Sequence, residues 1–336
     1  MYTDEDLTTA VARGIFRTDQ VELFRRELAG MKNHSPVDEE NFRLITGFND
    51  IFVVIACVLM LLSAAWVFRP LLGEAGGALL VVILSWTLTE FFVRKRKMAL
   101  PAIVLLLSYI GAAFYFVPVC FPESFELRWV FAAAVAALCA WVHWLRFRVP
   151  ITVAAGVAAC AAFVVALILI ALPDAKNWAA TLMLVAGVLV FILAMLWDSS
   201  DRERLTRRSD VAFWLHMLAA PLIVHAVFVS LGVMDGEADV VTTLIVILLY
   251  LVLTGVSVVI DRRAFMVSSL VYVLVALSRL LEIYGAVNYN FALTGGVIGA
   301  LLLLLSAFWH PVRASVVRLF PARIQQYVPV LKPPQV

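Results

Sequence analysis

Residues 51–97 read IFVVIACVLMLLSAAWVFRPLLGEAGGALLVVILSWTLTEFFVRKRK. Two apolar runs, Ile51 to Phe68 and Leu71 to Val93, lead into four consecutive basic residues, Arg94, Lys95, Arg96 and Lys97. Each run is about as long as the helix that crosses a hydrocarbon layer of about 30 Å. Runs of this length lack the short alternation of a membrane barrel, and an isolated strand in lipid leaves its backbone groups unbonded, so they read as helices. The same unit recurs along the chain, from Ala99 to Val119, Leu127 to Leu145, Val149 to Leu172, Trp178 to Trp197, Val211 to Met234, Val240 to Ile260, Ala264 to Val287 and Phe291 to Trp309. The expected fold is an all-α polytopic membrane bundle of about ten transmembrane helices.

Composition points the same way. The chain is 63% hydrophobic and only 15% charged, against roughly 25% charged in soluble domains, and its mean hydropathy of +0.98 exceeds what a soluble core can hide. Sidedness comes from the loops. On one side lie Arg94 to Lys97, Arg146, Arg148, Arg202, Arg204, Arg207, Arg208, Arg262, Arg263, Arg313, Arg318, Arg323 and Lys332, sixteen basic residues. The other side has three, Arg69, Arg128 and Lys176, among the acids Glu123, Glu126, Asp174, Asp235, Glu237 and Asp239. The positive-inside rule then puts both termini in the cytoplasm. Trp66, Trp129 and Trp178 fall near predicted outer ends, and Trp141, Trp144, Trp197, Trp214 and Trp309 near inner ones, as an aromatic belt requires. Because the basic residues are accounted for by sidedness and anionic headgroups, the net charge of +2 gives no reason to expect nucleic acid as a partner.

Three regions are expected: a cytoplasmic helical hairpin over 1–49, a ten-helix transmembrane domain over 50–310, and a cytoplasmic interfacial tail over 311–336. The first is polar and lacks the apolar core of a cleavable signal peptide. Leu7, Ala10 and Val11 have helical spacing before Gly14, and Val21, Phe24 and Leu28 follow an opening at Thr18 and Asp19; Gly30 ends that run. Ser35-Pro36-Val37-Asp38 reads as the cap of a third helix carrying Phe42 and Ile45. The segment is either a cap on the bundle or a docking site for a soluble partner. In the tail, Arg313, Val316, Val317, Leu319, Phe320 and Arg323 have the pattern of a short interfacial amphipathic helix.

The usual chemical signatures are missing. Cys57, Cys120, Cys139 and Cys160 show neither CxxC nor a histidine at ligand spacing, and read as buried small residues, with Cys120 alone open to oxidation. No GxGxxG, Walker A, HExxH or GxSxG motif occurs. No catalytic residue, metal or cofactor is therefore assigned, and the balance is against an enzyme. Packing signals are plainer. Gly73 with Gly77, and Gly295 with Gly299, have GxxxG spacing, while Ala132, Ala133, Ala136, Ala137, Ala140, Ala155, Gly156, Ala159 and Ala162 are placed for close helix approach in spans four and five.

Ionisable residues inside the spans carry the functional question, since they are costly in lipid and face a bundle interior, a partner or water. Arg279 and Glu282, three apart in span nine, can pair on one helical face. At about 1.5 Å per residue from the cytoplasmic start they lie roughly 22 and 27 Å deep, and His225 in span seven roughly 21 Å. The three share one layer, either a ligand or proton site or a salt bridge beside a satisfied histidine. His216 precedes His225 by nine residues and falls on the opposite face, and Glu90 is placed to pair with Arg94 four residues on; these are secondary candidates.

The stretches Phe213-Trp214-Leu215-His216 through Pro221 to His225, Ser278-Arg279-Leu280-Leu281-Glu282 and Ser306-Ala307-Phe308-Trp309-His310-Pro311 resemble an uncharacterised family of bacterial multi-pass inner-membrane proteins with a short soluble N-terminal segment. The resemblance implies a bacterial inner membrane and no particular activity. Ten spans with both ends inside suit a secondary transporter, and the count is similar to the drug/metabolite transporter superfamily, although the two halves share no motif. A non-transport scaffold or assembly factor is the alternative, and a membrane enzyme acting on a lipid-linked substrate the third reading.

Overall fold

A computed structural model describes residues 7, 10–11, 13–24, 48–204, 206–232, 240–283 and 290–331. All regular structure among them is helical, and the chain divides into two units, Met1–Asn41 and Phe42–Val336.

In the first unit the helix break falls where glycine permits it. Gly14 takes φ 68°, its N–H reaches the Val11 carbonyl at 3.0 Å, and the Ile15 N–H reaches Ala10 at 2.9 Å. This pair of bonds is the Schellman closure, with glycine at the left-handed position. A helix starts again at Thr18, where the Arg17 N–H donates to Gln20 Oε1 at 3.1 Å. Gly30 and the third expected helix lie outside the described residues.

The second unit opens with α1 (Phe48–Thr89), 42 residues long, or about 63 Å at helical rise. That is twice a hydrocarbon layer, so it cannot cross as one rod. Gly73, at φ 70° and ψ 178°, breaks it, a conformation that the lack of a Cβ permits. The second arm packs back on the first: a Cβ on Gly77 would sit 3.6 Å from the Ala65 carbonyl oxygen. Cys57 and Leu61 cluster with Val81, Leu84 and Leu88. The Gly73 and Gly77 pair thus supplies a reversal and a close approach. A π-helical turn, Glu90–Lys95, follows.

The remaining helices are α2 (Ala99–Val119), α3 (Arg128–Phe147), α4 (Ile151–Ala171), α5 (Ala179–Ser199), α6 (Arg207–Ser230), α7 (Val240–Ile260), α8 (Ala264–Ile283), α9 (Asn290–Ala307), α10 (Trp309–Arg318) and the short α11 (Ala322–Gln325), with a 3-10 turn at Pro173–Trp178. Among the described residues seven helices are long and apolar enough to cross a membrane, or eight if the bent pair formed by α9 and α10 counts as one. That bend, 74°, ends the tenth expected run before Trp309 rather than after it.

Small residues set the closest approaches. Ala132, Ala133, Ala136 and Ala140 are buried along α3, and a Cβ on Gly156 would meet Ala140 at 3.4 Å. Between α5 and α6 the fit is tighter: a Cβ on Gly187 would come within 2.8 Å of Ile223 and 2.9 Å of Leu222. Gly295 and Gly299 do not behave this way. Neither has a described atom within 4 Å of an added Cβ, because α9 turns Ile298 inward and the glycine face outward. Leu303, 74% exposed, and Leu62, Leu189 and Leu248 face outward, an apolar exterior that suits lipid and not water. Cys160 belongs to that exterior, so it is not the buried small residue expected, whereas Cys57 is.

The helix reversals at one end share a feature. Among the described residues Lys97, Arg148, Arg204 and Asp261 are the non-glycine ones with positive φ, 55° to 58°, and all lie in the basic loops. A left-handed residue other than glycine costs roughly 1–2 kcal/mol, so these side chains have to contribute more than a glycine at the same place.

Candidate functional site

The contribution is clearest where the loop after α5 meets the turn between α7 and α8. Asp261 closes α7 as a left-handed residue, its N–H bonding Val258 and the following Arg262 N–H bonding the Ser257 carbonyl at 2.9 Å, again the Schellman pattern. Unlike glycine, it projects a carboxylate inward. Asp261 Oδ1 accepts from the Trp309 indole at 2.8 Å and Oδ2 from Arg204 Nη1 at 3.1 Å, with Arg313 Nε 3.5 Å from Oδ1. Arg204 Nη2 also donates to the Ile260 and Asp261 carbonyls at 3.2 and 3.1 Å, which are orphan acceptors at a helix C-terminus.

A second carboxylate lies one layer deeper. Asp198, in the last turn of α5, accepts from Arg262 Nη2 at 2.8 Å, and that same nitrogen donates to the Ser209 carbonyl at 3.0 Å. Asp198 Oδ2 lies 3.9 Å from Arg204 and 3.7 Å from His216 Nε2 on α6. The third, Asp201, holds the loop itself, accepting from the Thr206 N–H at 2.8 Å and its hydroxyl at 2.6 Å, while Thr206 caps α6 through the Arg208 N–H. Asp198, Asp201, Asp261, Arg204, Arg262 and Arg313 are all buried, three acids against three bases. Burial, and then the neighbouring Arg262, push Arg204 down to about 10, so it keeps its charge at neutral pH.

The positive loop residues are thus of two kinds. Arg204, Arg262 and Arg313 do not face headgroups, as sidedness alone suggested. They are held inside by aspartates, because a buried guanidinium without a counter-charge is prohibitively costly. Trp309 is likewise no interfacial anchor: it is buried, committed to Asp261, and covered by the Arg263 guanidinium 4.9 Å from its ring. Arg313 Nη2 donates to the Pro329 carbonyl at 2.7 Å, and Arg202 donates to the carbonyls of Val328 and Gln325 at 3.0 and 2.9 Å. The tail after α10 is therefore strapped to the bundle.

His216 stands out in this cluster. It is fully buried, yet neither ring nitrogen has a hydrogen-bond partner among the described residues, nor does Asp198 Oδ2. A buried polar group left unbonded carries a cost of about 1–3 kcal/mol, and the 3.7 Å approach of His216 Nε2 to Asp198 Oδ2 is too long to be a hydrogen bond. Nine residues along α6, His225 takes a different partner: its Nδ1 is hydrogen-bonded to Tyr272 Oη on α8. Phe228 stacks on that tyrosine with ring centroids 4.6 Å apart. The two histidines are not brought together.

Arg279 and Glu282 lie in α8 by backbone, about two and about three turns beyond Tyr272; their side chains are outside the described residues. The described partner of His225 is Tyr272. Glu90 has the expected Arg94 contact at 3.1 Å, and a stronger one from Arg146 Nε at 2.7 Å. The sequence reading missed Asp198, Asp261 and Tyr272, and also His143, buried on α3 and 3.1 Å from the Thr152 hydroxyl of α4. The signal for the aspartates was available: an acid in the last turn of one span, and another directly before Arg262 Arg263, in loops otherwise selected for positive charge.

No group of three or more metal-ligating side chains is formed among the described residues. A scan against protein-family models and searches of curated proteins and of solved structures find no match. The class defined by the fold and this site is a multi-pass helical membrane protein with a charge-balanced buried network at its basic end.

Proposed function

We propose that this protein is a proton-coupled secondary transporter of a bacterial inner membrane, with ten spans and both termini cytoplasmic. One observation carries the reading: α5, α6 and α8 bring titratable groups to successive heights in a mostly apolar bundle. Asp198 and His216 lie at the basic end, and His225 with Tyr272 lies about 13 Å further along α6 at helical rise. Arg279 and Glu282 sit further still on α8. Such residues in membrane helices are typical of proton and substrate paths, and water has to bridge the gaps. The reversal at Gly73 supports counting α1 as two spans, and the loop asymmetry supports the orientation. The three resembling segments support the bacterial membrane.

The test uses the full chain in liposomes enclosing pyranine, challenged with a panel of organic cations, carboxylates and amphiphiles. At least one solute is expected to move protons, and His216→Gln and His225→Gln to slow that movement about tenfold or more, while Glu90→Gln leaves it unchanged. Proton movement that survives both histidine changes overturns the relay. For the topology, a reporter after Val336 should behave as cytoplasmic and one at Gly236 as external.

The alternative, a scaffold or assembly factor, is favoured by the balance of three aspartates and three arginines within the buried network and by the strapped tail, which suit a fixed latch better than a moving site. On that reading a soluble partner is retained by the full chain and lost when 1–49 is removed, and both histidine variants keep that retention.

A further inference from the structure

Far from the buried network, the reversal of α1 leaves an open wedge against α2. The two arms and α2 converge around Cys57, Leu61 and Leu105; toward Gly73 the two arms stay close, with Gly77 against Ala65, while Gly111 on α2 meets nothing within 4 Å, and the space that opens is lined by small residues: Ala65, Gly77 and Ala78 on α1, Ser108, Gly111 and Ala112 on α2. The space between them is about 770 Å³, within the roughly 300–1,000 Å³ of small-molecule sites. Its walls are apolar, including Leu62, Trp66, Val81 and Leu107. Its polar groups gather at one end. There Arg69 is hydrogen-bonded to Glu74 Oε1, and Tyr115 Oη donates to Glu74 Oε2 at 3.0 Å.

We propose that this groove holds one phospholipid with a primary-ammonium headgroup, a phosphatidylethanolamine. The argument is complementarity of two kinds. Along the bundle, the apolar trough runs from the mid-membrane convergence to the end of the span, matching an acyl chain. Across its mouth stand one cation and one anion, matching a phosphate and an ammonium. A phosphate takes the planar guanidinium fork of Arg69 bidentately. The ammonium replaces Arg69 on Glu74, so an internal ion pair is exchanged for two external ones with no net change of charge. An anionic headgroup without an amine would meet the Glu74 carboxylate, and a choline has no N–H to donate to it. In a bilayer the trough fills with hydrocarbon whatever the headgroup, so selectivity resides at Arg69, Glu74 and Tyr115. The site stands independently of the proton relay.

The experiment is native mass spectrometry of the detergent-solubilised full chain titrated with phosphatidylethanolamine, phosphatidylglycerol and phosphatidylcholine of identical acyl chains. One ethanolamine lipid is expected to be retained about fivefold to tenfold better than the others, as one or two hydrogen bonds allow. Glu74→Gln should erase that preference, and Arg69→Gln should lower retention of all three lipids. Both side chains are partly exposed, so folding is not at stake. Gly111→Leu, entering space with no atom within 4 Å, should fill the trough and abolish the retained lipid, while Leu248→Phe on the outer surface of α7 changes nothing. Equal retention of all three lipids by the unaltered chain means annular lipid only and overturns the proposal, as does a Glu74→Gln protein that still prefers ethanolamine.

Discussion

Two acid–base clusters occupy the basic end, built from the same residue types at similar distances and set in opposite surroundings. Glu90 accepts from Arg146 at 2.7 Å and Arg94 at 3.1 Å, with side chains 29%, 43% and 53% exposed. Asp198 accepts from Arg262 at 2.8 Å with side chains 1% and 2% exposed. In water the first cluster is largely screened and contributes little. The second pair has no solvent to replace a lost partner. Distance is therefore a poor guide to consequence here, and burial decides which cluster the fold depends on. Sequence separation does not divide them, since Arg146 on α3 is 56 residues from Glu90, but the inner cluster ties together more segments: α5, α6, the turn after α7, and α10.

The sharpest test of that contrast is Asp198→Asn, which leaves Arg262 buried without its counter-charge. A loss of about 3–5 kcal/mol is expected, read as a fall in the thermal midpoint of the detergent-solubilised protein. Combining it with Arg262→Met should recover much of the loss, since a buried apolar residue is tolerated where a lone charge is not. A single variant as stable as the unaltered chain would mean that water reaches the cluster and that its burial is not what matters.

Gly187→Leu probes packing between the same two helices without touching charge. Ile223 and Leu222 leave no room for the added carbons, and overpacking costs about 1–3 kcal/mol, smaller than the charge effect though on the same scale. Gly295→Leu, at a glycine with open space around it, should be nearly silent in the same melting assay, which separates crowding from any general intolerance of leucine in α-helices.

The smallest effect belongs to Glu90→Gln. The shift in thermal midpoint should be the smallest of the set and should shrink further in high salt, since the Debye length falls to about 3 Å at 1 M. Asp198→Asn should show no such salt dependence. Equal salt sensitivity at the two sites would erase the distinction between them.

Arg94 was legible as a partner for Glu90 because both lie on one helix at i and i+4, and local spacing is written in the sequence. Arg146 was not, since it comes from another span. The same limit governs the buried cluster. Arg204, Arg262 and Arg313 are indistinguishable in sequence from Arg207, Arg263 and Arg318, all of them basic residues in loops of one sidedness. Only the packing of α6 and α10 over the turn after α7 sorts the buried arginines from the rest. His216 and His225 were placed on different faces of their helix by counting alone, but their partners, Asp198 and Tyr272, lie on two other helices.

Hydrophobic run length and loop charge are properties of contiguous sequence, because partitioning into lipid is a property of the segment and not of its neighbours. The helical membrane bundle, and the identity of one end as the basic one, follow from the sequence alone. Lipid offers every apolar face the same welcome, so hydropathy says nothing about which face of a span meets protein and which meets acyl chains. The side toward which Gly187 and Gly295 point, the fate of each loop arginine, and the wedge beneath Arg69 and Glu74 were decided by helix packing, where steric fit and the cost of burying charge distinguish residues that composition treats alike.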